Sequence, residues 1–157
     1  MNQDNKQAVK VVLVTGASRR IGAAIVQYFH QAGFKVIIHC HHSLAEAKAL
    51  AYRLEQQRAG SVYVVQKNLC AVQAAEELIT DSLAWAGRLD VLVNNASIFT
   101  RTSISEVHPK NWEEVFNINV KAPFSLSLAA HPHLAKQHGV IINLTDIHAQ
   151  KPLKGYA

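Results

Sequence analysis

The chain has 157 residues, of which 49% are apolar and 17% charged, a composition typical of one globular domain and not of a disordered or collagen-like chain. Sixteen basic and eleven acidic residues give a net charge of +5, and the whole excess lies within residues 1–60. An anionic small molecule, an RNA or a solvated surface could each account for it.

The sequence also indicates a compartment. No apolar run approaches the roughly 20 residues of a membrane-spanning helix, and the N-terminal MNQDNKQAVK lacks the apolar core and cleavage site of a signal peptide. Cys40 and Cys70 are too few for a disulfide framework. We therefore expect a cytoplasmic protein with no membrane partner.

Five short aliphatic runs predict β-strands, and helical patterns separate them. The runs are continuous rather than alternating, which is typical of strands buried on both faces of a parallel sheet. The predicted strands cover residues 11–14, 36–38, 62–65, 91–93 and 140–142, and the predicted helices cover residues 21–31, 43–60, 71–86 and 109–137. The capping box Ser43-Leu-Ala-Glu46 opens the second helix, while Pro123 and Pro132 should bend or break the fourth.

This order predicts an α/β fold, a doubly wound parallel sheet of the Rossmann type, as a single domain over residues 1–157. Five strands are visible, whereas a complete dinucleotide-binding sheet of this kind has six or more. Only thirteen residues follow Leu144. We therefore expect the C-terminal strands to lie beyond Ala157.

The first predicted strand leads directly into Thr15-Gly-Ala-Ser-Arg-Arg-Ile-Gly22, where the first helix begins. Gly16 permits a tight turn, and Gly22 permits close packing of the helix on the sheet. Free N–H groups and the positive dipole end of a helix bind anions. The segment therefore predicts a phosphate site, with a simple tight turn as the alternative.

The same segment resembles the Thr-Gly-x-x-x-Gly-x-Gly signature of the short-chain dehydrogenase/reductase family, with Arg20 in place of the middle glycine. That substitution is similar to the pteridine reductase branch of the family, whose loop carries an arginine. The resemblance implies that Arg20 reaches cofactor phosphate and substrate together. An exposed helix-start arginine is the alternative, although a cation there opposes the helix dipole.

The second predicted strand ends in His39-Cys-His-His-Ser43, without the carboxylate that holds the ribose 2′-hydroxyl in NAD-binding domains. Arg19, His42 and Ser43 could donate hydrogen bonds to a 2′-phosphate, so we expect NADP(H). Two charge-assisted bonds of about 1.5–3 kcal/mol each would favour NADP by roughly 10²- to 10⁴-fold. Farther along, Asn68 matches the family aspartate that holds the adenine amine.

Metal and RNA binding are weaker interpretations of the same residues. His39 and His41 share a strand face, but no third ligand stands at a recognisable spacing, and His131-Pro-His133 has the same weakness. No motif of aromatic and basic residues accompanies the positive charge. We therefore predict neither a metal nor a nucleic-acid partner.

The fourth predicted strand ends in Asn94-Asn-Ala-Ser-Ile-Phe99, which resembles the family signature Asn-Asn-Ala-Gly with Ser97 for the glycine. Ser97 and Phe99 together resemble the pteridine reductases, in which the aromatic ring stacks on a flat pterin. A planar heterocycle gains from an aromatic face and hydroxyl donors. Core packing is the alternative for Phe99, and a loop-closing hydrogen bond is the alternative for Asn95.

Two further residues match catalytic positions of the family. Asn119 matches the asparagine of the catalytic tetrad, which implies that it supports a proton relay through a water. Asp146 stands where most members carry a serine, a trait of the pteridine reductases; an exposed turn aspartate is the alternative. Tyr156 lies ten positions past Asp146, whereas the family's catalytic tyrosine lies roughly thirteen past. The resemblance therefore places the Tyr-x-x-x-Lys motif beyond Ala157.

These residues predict an NADPH-dependent reductase that transfers hydride to a dihydropteridine or dihydrofolate-type substrate, as a homodimer or homotetramer. Two alternatives stay open: a reductase for 3-oxoacyl, sugar or other carbonyl substrates, and a non-catalytic nucleotide-binding fragment. The predicted catalytic residues are Asn119 and Asp146, and the predicted substrate residues are Arg20, Ser97, Phe99 and Asp146. The predicted cofactor residues are Gly16, Ser18, Arg19, Arg20, Ile21, Gly22, His41, His42, Ser43, Asn68, Leu69, Asn95, Ala96, Ser97 and Thr145.

Overall fold

Five parallel strands form one sheet, in the order β3-β2-β1-β4-β5, in the computed structural model of the chain. The structure describes residues 8–101, 103, 105, 108–151 and 153–156, so residues 1–7 of the segment tested for a signal peptide lie outside it. The strands are β1 (Val11–Val14), β2 (Lys35–Cys40), β3 (Val62–Gln66), β4 (Val91–Asn94) and β5 (Val140–Asn143).

Helices connect the strands in the predicted order. They are α1 (Arg20–Gln31), α2 (Leu44–Gln57), α3 (Ala74–Ala86), α4 (Pro109–Phe116) and α5 (Ala122–Ala135). A π-helical turn, Asn117–Lys121, joins α4 to α5, and a short 3-10 turn, Ile147–Ala149, follows β5. The Rossmann-type doubly wound sheet predicted from the sequence is confirmed.

Each face of the sheet is covered by two helices. Val12 and Val14 of β1 pack with Val26 of α1 and Leu50 of α2, all of them fully or almost fully buried. Residues of β1 and β2 that point the other way pack with α3 and α5. Because apolar side chains fill both faces, β1 and β4 are buried at every position, as their continuous apolar runs predict.

The burial prediction is wrong for β5. Val140 and Ile142 are 49% and 39% exposed, although their run is as apolar as that of β1. The reason is position, because among the described residues β5 lies at the edge of the sheet and pairs with β4 alone. An apolar run therefore predicts a strand correctly without revealing whether that strand is central or lateral.

The capping box predicted for α2 does not form. Ser43 is the N-cap residue, but its side chain makes no capping hydrogen bond. The Glu46 carboxylate lies 3.7 Å from the Arg19 guanidinium instead, so a cation competes with the backbone for it. The helix ends at Gln57, before the predicted Gly60, where the Glu55 carboxylate accepts hydrogen bonds from the N–H groups that lead into β3.

The long helical pattern of residues 109–137 is interrupted once. The break is the π-helical turn immediately before Pro123, which lacks an N–H group and so cannot donate to the preceding helical carbonyls. Pro132 lies inside α5 without ending it, contrary to one of the two predicted options. The third helix begins at Ala74, three residues later than predicted, after Gln73 in a left-handed conformation.

Candidate functional site

The candidate site lies at the carboxyl ends of the strands, where two adjoining cavities of about 840 and 820 Å³ open. Fourteen of the fifteen predicted cofactor residues line the first cavity, and Thr145 lines the second. Phe99, Asn119 and Asp146 also line the second cavity. The residues common to both cavities are Ile21, Asn95, Ala96, Ser97 and Ile98. The fold thus brings the predicted cofactor and substrate residues to neighbouring spaces.

The turn between β1 and α1, residues 15–22, forms the floor of the first cavity and is called the phosphate turn below. Gly16 has a φ of +61°, and a Cβ there would lie 2.8 Å from Ala96 Cα. A Cβ on Gly22 would lie 2.5 Å from the carbonyl oxygen of Gly16. Both glycines are therefore required by close backbone approach, as the signature predicts.

Polar side chains tie the phosphate turn to the loop after β4. The Thr15 hydroxyl accepts hydrogen bonds from the N–H groups of Asn95 and Ala96, each at 3.0 Å. The Asn95 side chain donates to the carbonyl oxygens of Thr15 and Gly16 at 2.8 and 3.1 Å. Asn95 therefore closes the loop, as its alternative interpretation holds, and it also lines both cavities.

Arg20 occupies a strained position at the start of α1. Its φ is +50°, in the left-handed region where the family signature has glycine. Its exposed side chain lines the first cavity. Arg19 precedes it as the N-cap residue, with extended backbone and its guanidinium near Glu46. Two cations therefore flank the helix end, where a bound anion would offset their conflict with the helix dipole.

The end of β2 lines the opposite side of the first cavity. The rings of His41 and His42 lie with their centroids 3.6 Å apart and their planes tilted by 37°, and both residues are exposed. Partial desolvation of the ring and the neighbouring His42 lower the pKa of His41. The Asn68 amide oxygen accepts a hydrogen bond from the N–H of Cys70 at 3.0 Å. The Asn68 NH2 group and the second lone pair of its amide oxygen have no hydrogen-bond partner among the described residues.

His39 lines the first cavity but was not among the predicted cofactor residues. It is 2% exposed, and both ring nitrogens are engaged: Nδ1 accepts from the N–H of Gly16 at 3.2 Å, and Nε2 donates to the carbonyl of Lys67 at 3.0 Å. These bonds exclude His39 from a metal pair with His41. Desolvation by burial lowers its pKa to about 4. The signal available in the sequence is His39 itself, a polar residue within the apolar strand β2, whose carboxyl end lines the first cavity.

Asn119 holds the loop at Ile98, a residue that lines both cavities. Its Oδ1 accepts from the N–H of Ile98 at 3.0 Å, and its Nδ2 donates to the carbonyl of Ile98 at 2.8 Å. The side chain therefore makes two backbone bonds from the π-helical turn, which is the structural role that a mid-helix asparagine suggests. The part assigned to it in a proton relay stays a prediction.

A polar cluster stands at the carboxyl ends of β4 and β5, against the second cavity. Asn94 is 4% exposed and donates through Nδ2 to Asn143 Oδ1 at 2.8 Å and to Ser127 Oγ at 3.4 Å. Its own Oδ1 is buried and has no donor among the described residues. All three residues line the second cavity, so this oxygen is a polar atom that sequence reasoning did not identify.

Two aromatic side chains, Phe99 and Phe124, line the second cavity. Phe99 is 52% exposed and lies nearly parallel to Tyr156, with ring centroids 4.4 Å apart, and to His148, at 6.0 Å. Core packing is therefore not its environment. Asp146 is exposed and its Oδ1 accepts from the N–H of His148 at 2.9 Å, which caps the short turn after β5. Asp146 therefore has the geometry of an exposed turn aspartate, which is its alternative interpretation, and it also lines the second cavity.

Seven residues of the first cavity were not among the predicted cofactor residues: His39, Cys40, Cys70, Ile98, Glu114, Asn117 and Ile118. The last three come from α4 and the π-helical turn, whose approach to the cavity depends on how that helix packs. In the described parts of the chain, no three His, Cys, Asp or Glu side chains are placed to share a metal ion. No helix within the described ranges has both the length and the apolar character needed for a bilayer crossing.

Comparison with known proteins agrees with this geometry. The short chain dehydrogenase family pattern matches residues 10–157, and the chain belongs to that family, whose members bind a nicotinamide cofactor. Pteridine reductase 1 of Leishmania tarentolae is 34% identical over an alignment 185 residues long, gaps included. The alignment covers 93% of this chain and 64% of that protein. A 3-oxoacyl-[acyl-carrier-protein] reductase of Staphylococcus epidermidis is 32% identical over 139 residues, covering 88% and 57%.

An uncharacterised oxidoreductase of Methylorubrum extorquens is 33% identical over 138 residues, covering 88% of this chain and 55% of that protein. The chain thus spans between 55% and 64% of the length of these three relatives. The resemblance stated from the phosphate turn is confirmed at the level of the family. The near-equal identities leave the substrate class to be argued from the site.

Proposed function

We propose that the protein is an NADPH-dependent reductase acting on a dihydropteridine or dihydrofolate-type substrate. The observation that carries the proposal is the position of Arg20, which belongs to the phosphate turn and lines the first cavity. From there the Arg20 guanidinium can donate hydrogen bonds to a cofactor phosphate and to an adjacent substrate. A branch with glycine at this position lacks that group.

The first cavity fits a dinucleotide diphosphate. Gly16 and Gly22, where a Cβ would clash with neighbouring residues of the protein, keep the turn tight, and the N-terminus of α1 supplies N–H groups and a positive dipole end. Arg19 in the phosphate turn, together with His42 and Ser43 after β2, offers hydrogen-bond donors for a 2′-phosphate. When bound, NADPH supplies the hydride.

The second cavity fits a flat, polar ring. Phe99 presents a half-exposed aromatic face, and Ser97 adds an exposed hydroxyl near the residues common to both cavities. Asp146 at the cavity wall is placed to accept a hydrogen bond from an amino group or to carry a proton. Asn119 keeps the loop at Ile98 in position beneath the reacting groups.

Reduction of a 3-oxoacyl or other carbonyl substrate is the second candidate. Its support is the 32% identity to the staphylococcal 3-oxoacyl reductase, close to the 34% identity to the pteridine reductase. The two candidates share the cofactor and differ in the substrate that the second cavity binds. A flat pterin would stack on the Phe99 ring, whereas a flexible acyl chain would gain nothing from such stacking. A nucleotide-binding protein without catalysis is the third, and it predicts cofactor binding without turnover.

Titration of the chain with NADPH and with NADH, followed by nicotinamide fluorescence, tests the cofactor. We expect NADPH to bind at least 100-fold more tightly, because two charge-assisted hydrogen bonds to the 2′-phosphate are worth about 3 kcal/mol or more. NADPH oxidation is then assayed with dihydrobiopterin, dihydrofolate and a panel of ketones. Turnover of ketones alone would remove the pterin proposal, and equal affinity for the two cofactors would remove the 2′-phosphate site.

Replacement of Arg20 separates its charge from its backbone strain. Arg20→Gly and Arg20→Ala both lack the cation, so each should weaken NADPH binding by about 10-fold or more. The glycine variant should be more stable than the alanine variant by about 1 kcal/mol, because only alanine keeps a Cβ at a positive φ. Urea denaturation and fluorescence titration measure the two effects. Arg53→Ala, at an exposed position of α2 outside both cavities, is the control.

A further inference from the structure

We propose that His39 is the positioning residue of the phosphate turn: its neutral, Nε2-protonated ring holds the N–H of Gly16 and so sets the affinity for the dinucleotide diphosphate. The inference rests on the proposed cofactor and assigns to His39 no contact with it. The rival role for a histidine at the end of β2 is direct contact with a 2′-phosphate, and the two roles make different predictions.

The ring of His39 bridges three elements. Its Nδ1 accepts from Gly16 in the phosphate turn, and its Nε2 donates to the carbonyl of Lys67, which follows β3. The main chain reinforces both sides, since the N–H of Ala17 donates to the carbonyl of His39 at 2.8 Å and the N–H of Lys67 donates to that of Cys40 at 2.9 Å. The side-chain and main-chain bonds therefore act together on the contact between β2, the phosphate turn and the residues after β3.

The two bonds determine the tautomer. An acceptor at Nδ1 must lack a proton, and a donor at Nε2 must carry one, so the ring is neutral. Protonation of Nδ1 would place two N–H donors against each other, one from the ring and one from Gly16, and the hydrogen bond between them would be lost. The charged groups nearest the ring, Lys67 and His41, also disfavour an imidazolium, and so does burial.

The bond to Gly16 acts on the part of the turn that meets the diphosphate. The peptide of Gly16 is held on its N–H side by His39 and on its carbonyl side by Asn95. With both ends of this left-handed residue fixed, the N–H groups at the start of α1 keep one orientation. Because NADPH and NADH share the diphosphate, loss of the His39 bond should weaken both cofactors equally.

The experiment compares three variants in NADPH and NADH titrations at pH 7. His39→Leu removes both ring nitrogens and should weaken both cofactors by 10-fold or more, leaving their ratio unchanged. His39→Asn retains an acceptor near the Nδ1 position and should recover to within about 3-fold of the unsubstituted chain. His42→Asn is the matched control, since an exposed histidine that meets the 2′-phosphate should weaken NADPH alone.

A spectroscopic measurement on the unsubstituted chain is independent of cofactor binding. The ¹⁵N shifts of His39 should show an unprotonated Nδ1 and a protonated Nε2 at pH 7, and this readout decides the tautomer even where His39→Leu fails to fold. The opposite tautomer, or a charged ring, would overturn the proposal, and so would a loss confined to NADPH in the His39 variants. Absence of NADPH binding to the unsubstituted chain, with the expected tautomer present, would remove the proposed function and the affinity role together while leaving the turn geometry intact.

Discussion

A single methyl group added at Gly22 should weaken dinucleotide binding by more than about 100-fold. The new Cβ would lie 2.5 Å from the carbonyl oxygen of Gly16, 2.6 Å from the side-chain nitrogen of Asn95 and 2.8 Å from Ala17 Cα. Two of these three neighbours are backbone, which cannot swing aside as the end of a long side chain can. The helix must therefore move away from the phosphate turn, or the turn must open.

We expect Gly22→Ala to lower the free energy of unfolding by about 1–3 kcal/mol, the usual cost of overpacking. NADPH affinity should fall by more than 100-fold, because displacement of the α1 N-terminus withdraws the N–H groups and the dipole together. Urea denaturation and fluorescence titration measure the two quantities. Ala24→Met is the control, since it adds volume to the same helix at an exposed position. Ordinary NADPH affinity in Gly22→Ala would mean that the turn does not hold the diphosphate.

The features predicted correctly from the sequence depend on neighbouring residues. The phosphate turn was recognisable because Thr15, Gly16 and Gly22 lie within eight residues, between a strand and a helix. The strands of the sheet were recognisable because each apolar run is itself a local signal. In each case the chemistry that defines the feature is contained in one short segment, and packing against the rest of the chain only confirms it.

The features that were missed depend on contacts between distant residues. Glu46 was assigned to a local cap, yet its carboxylate lies near Arg19, 27 positions earlier. The exposure of β5 depends on its place at the sheet edge, which the order of runs along the chain does not state. Asn119, within the π-helical turn, bonds to Ile98 across 21 positions. Single-residue patterns cannot encode these separations.

Acid should destabilise the chain in a way that depends on His39. The pKa of its ring is about 4 in the folded state, against 6.5 for an unperturbed histidine, and burial is the main cause. Between these two pH values residue 39 binds a proton in the unfolded chain and does not bind one in the folded chain. The stability due to the neutral ring is therefore complete above pH 6.5 and is lost as the pH falls towards 4.

The difference of about 2.5 pKa units corresponds to about 3 kcal/mol of unfolding free energy. Urea denaturation at several pH values between 7 and 4 should show this loss in the unsubstituted chain, and His39→Asn, which cannot titrate, should show a shallower dependence. Burial and Arg58 also lower the pKa of His30, whose contribution has the same sign, but it is common to both proteins and cancels in their difference. Identical pH profiles for the two proteins would show that the His39 ring is not the neutral, buried group that holds Gly16.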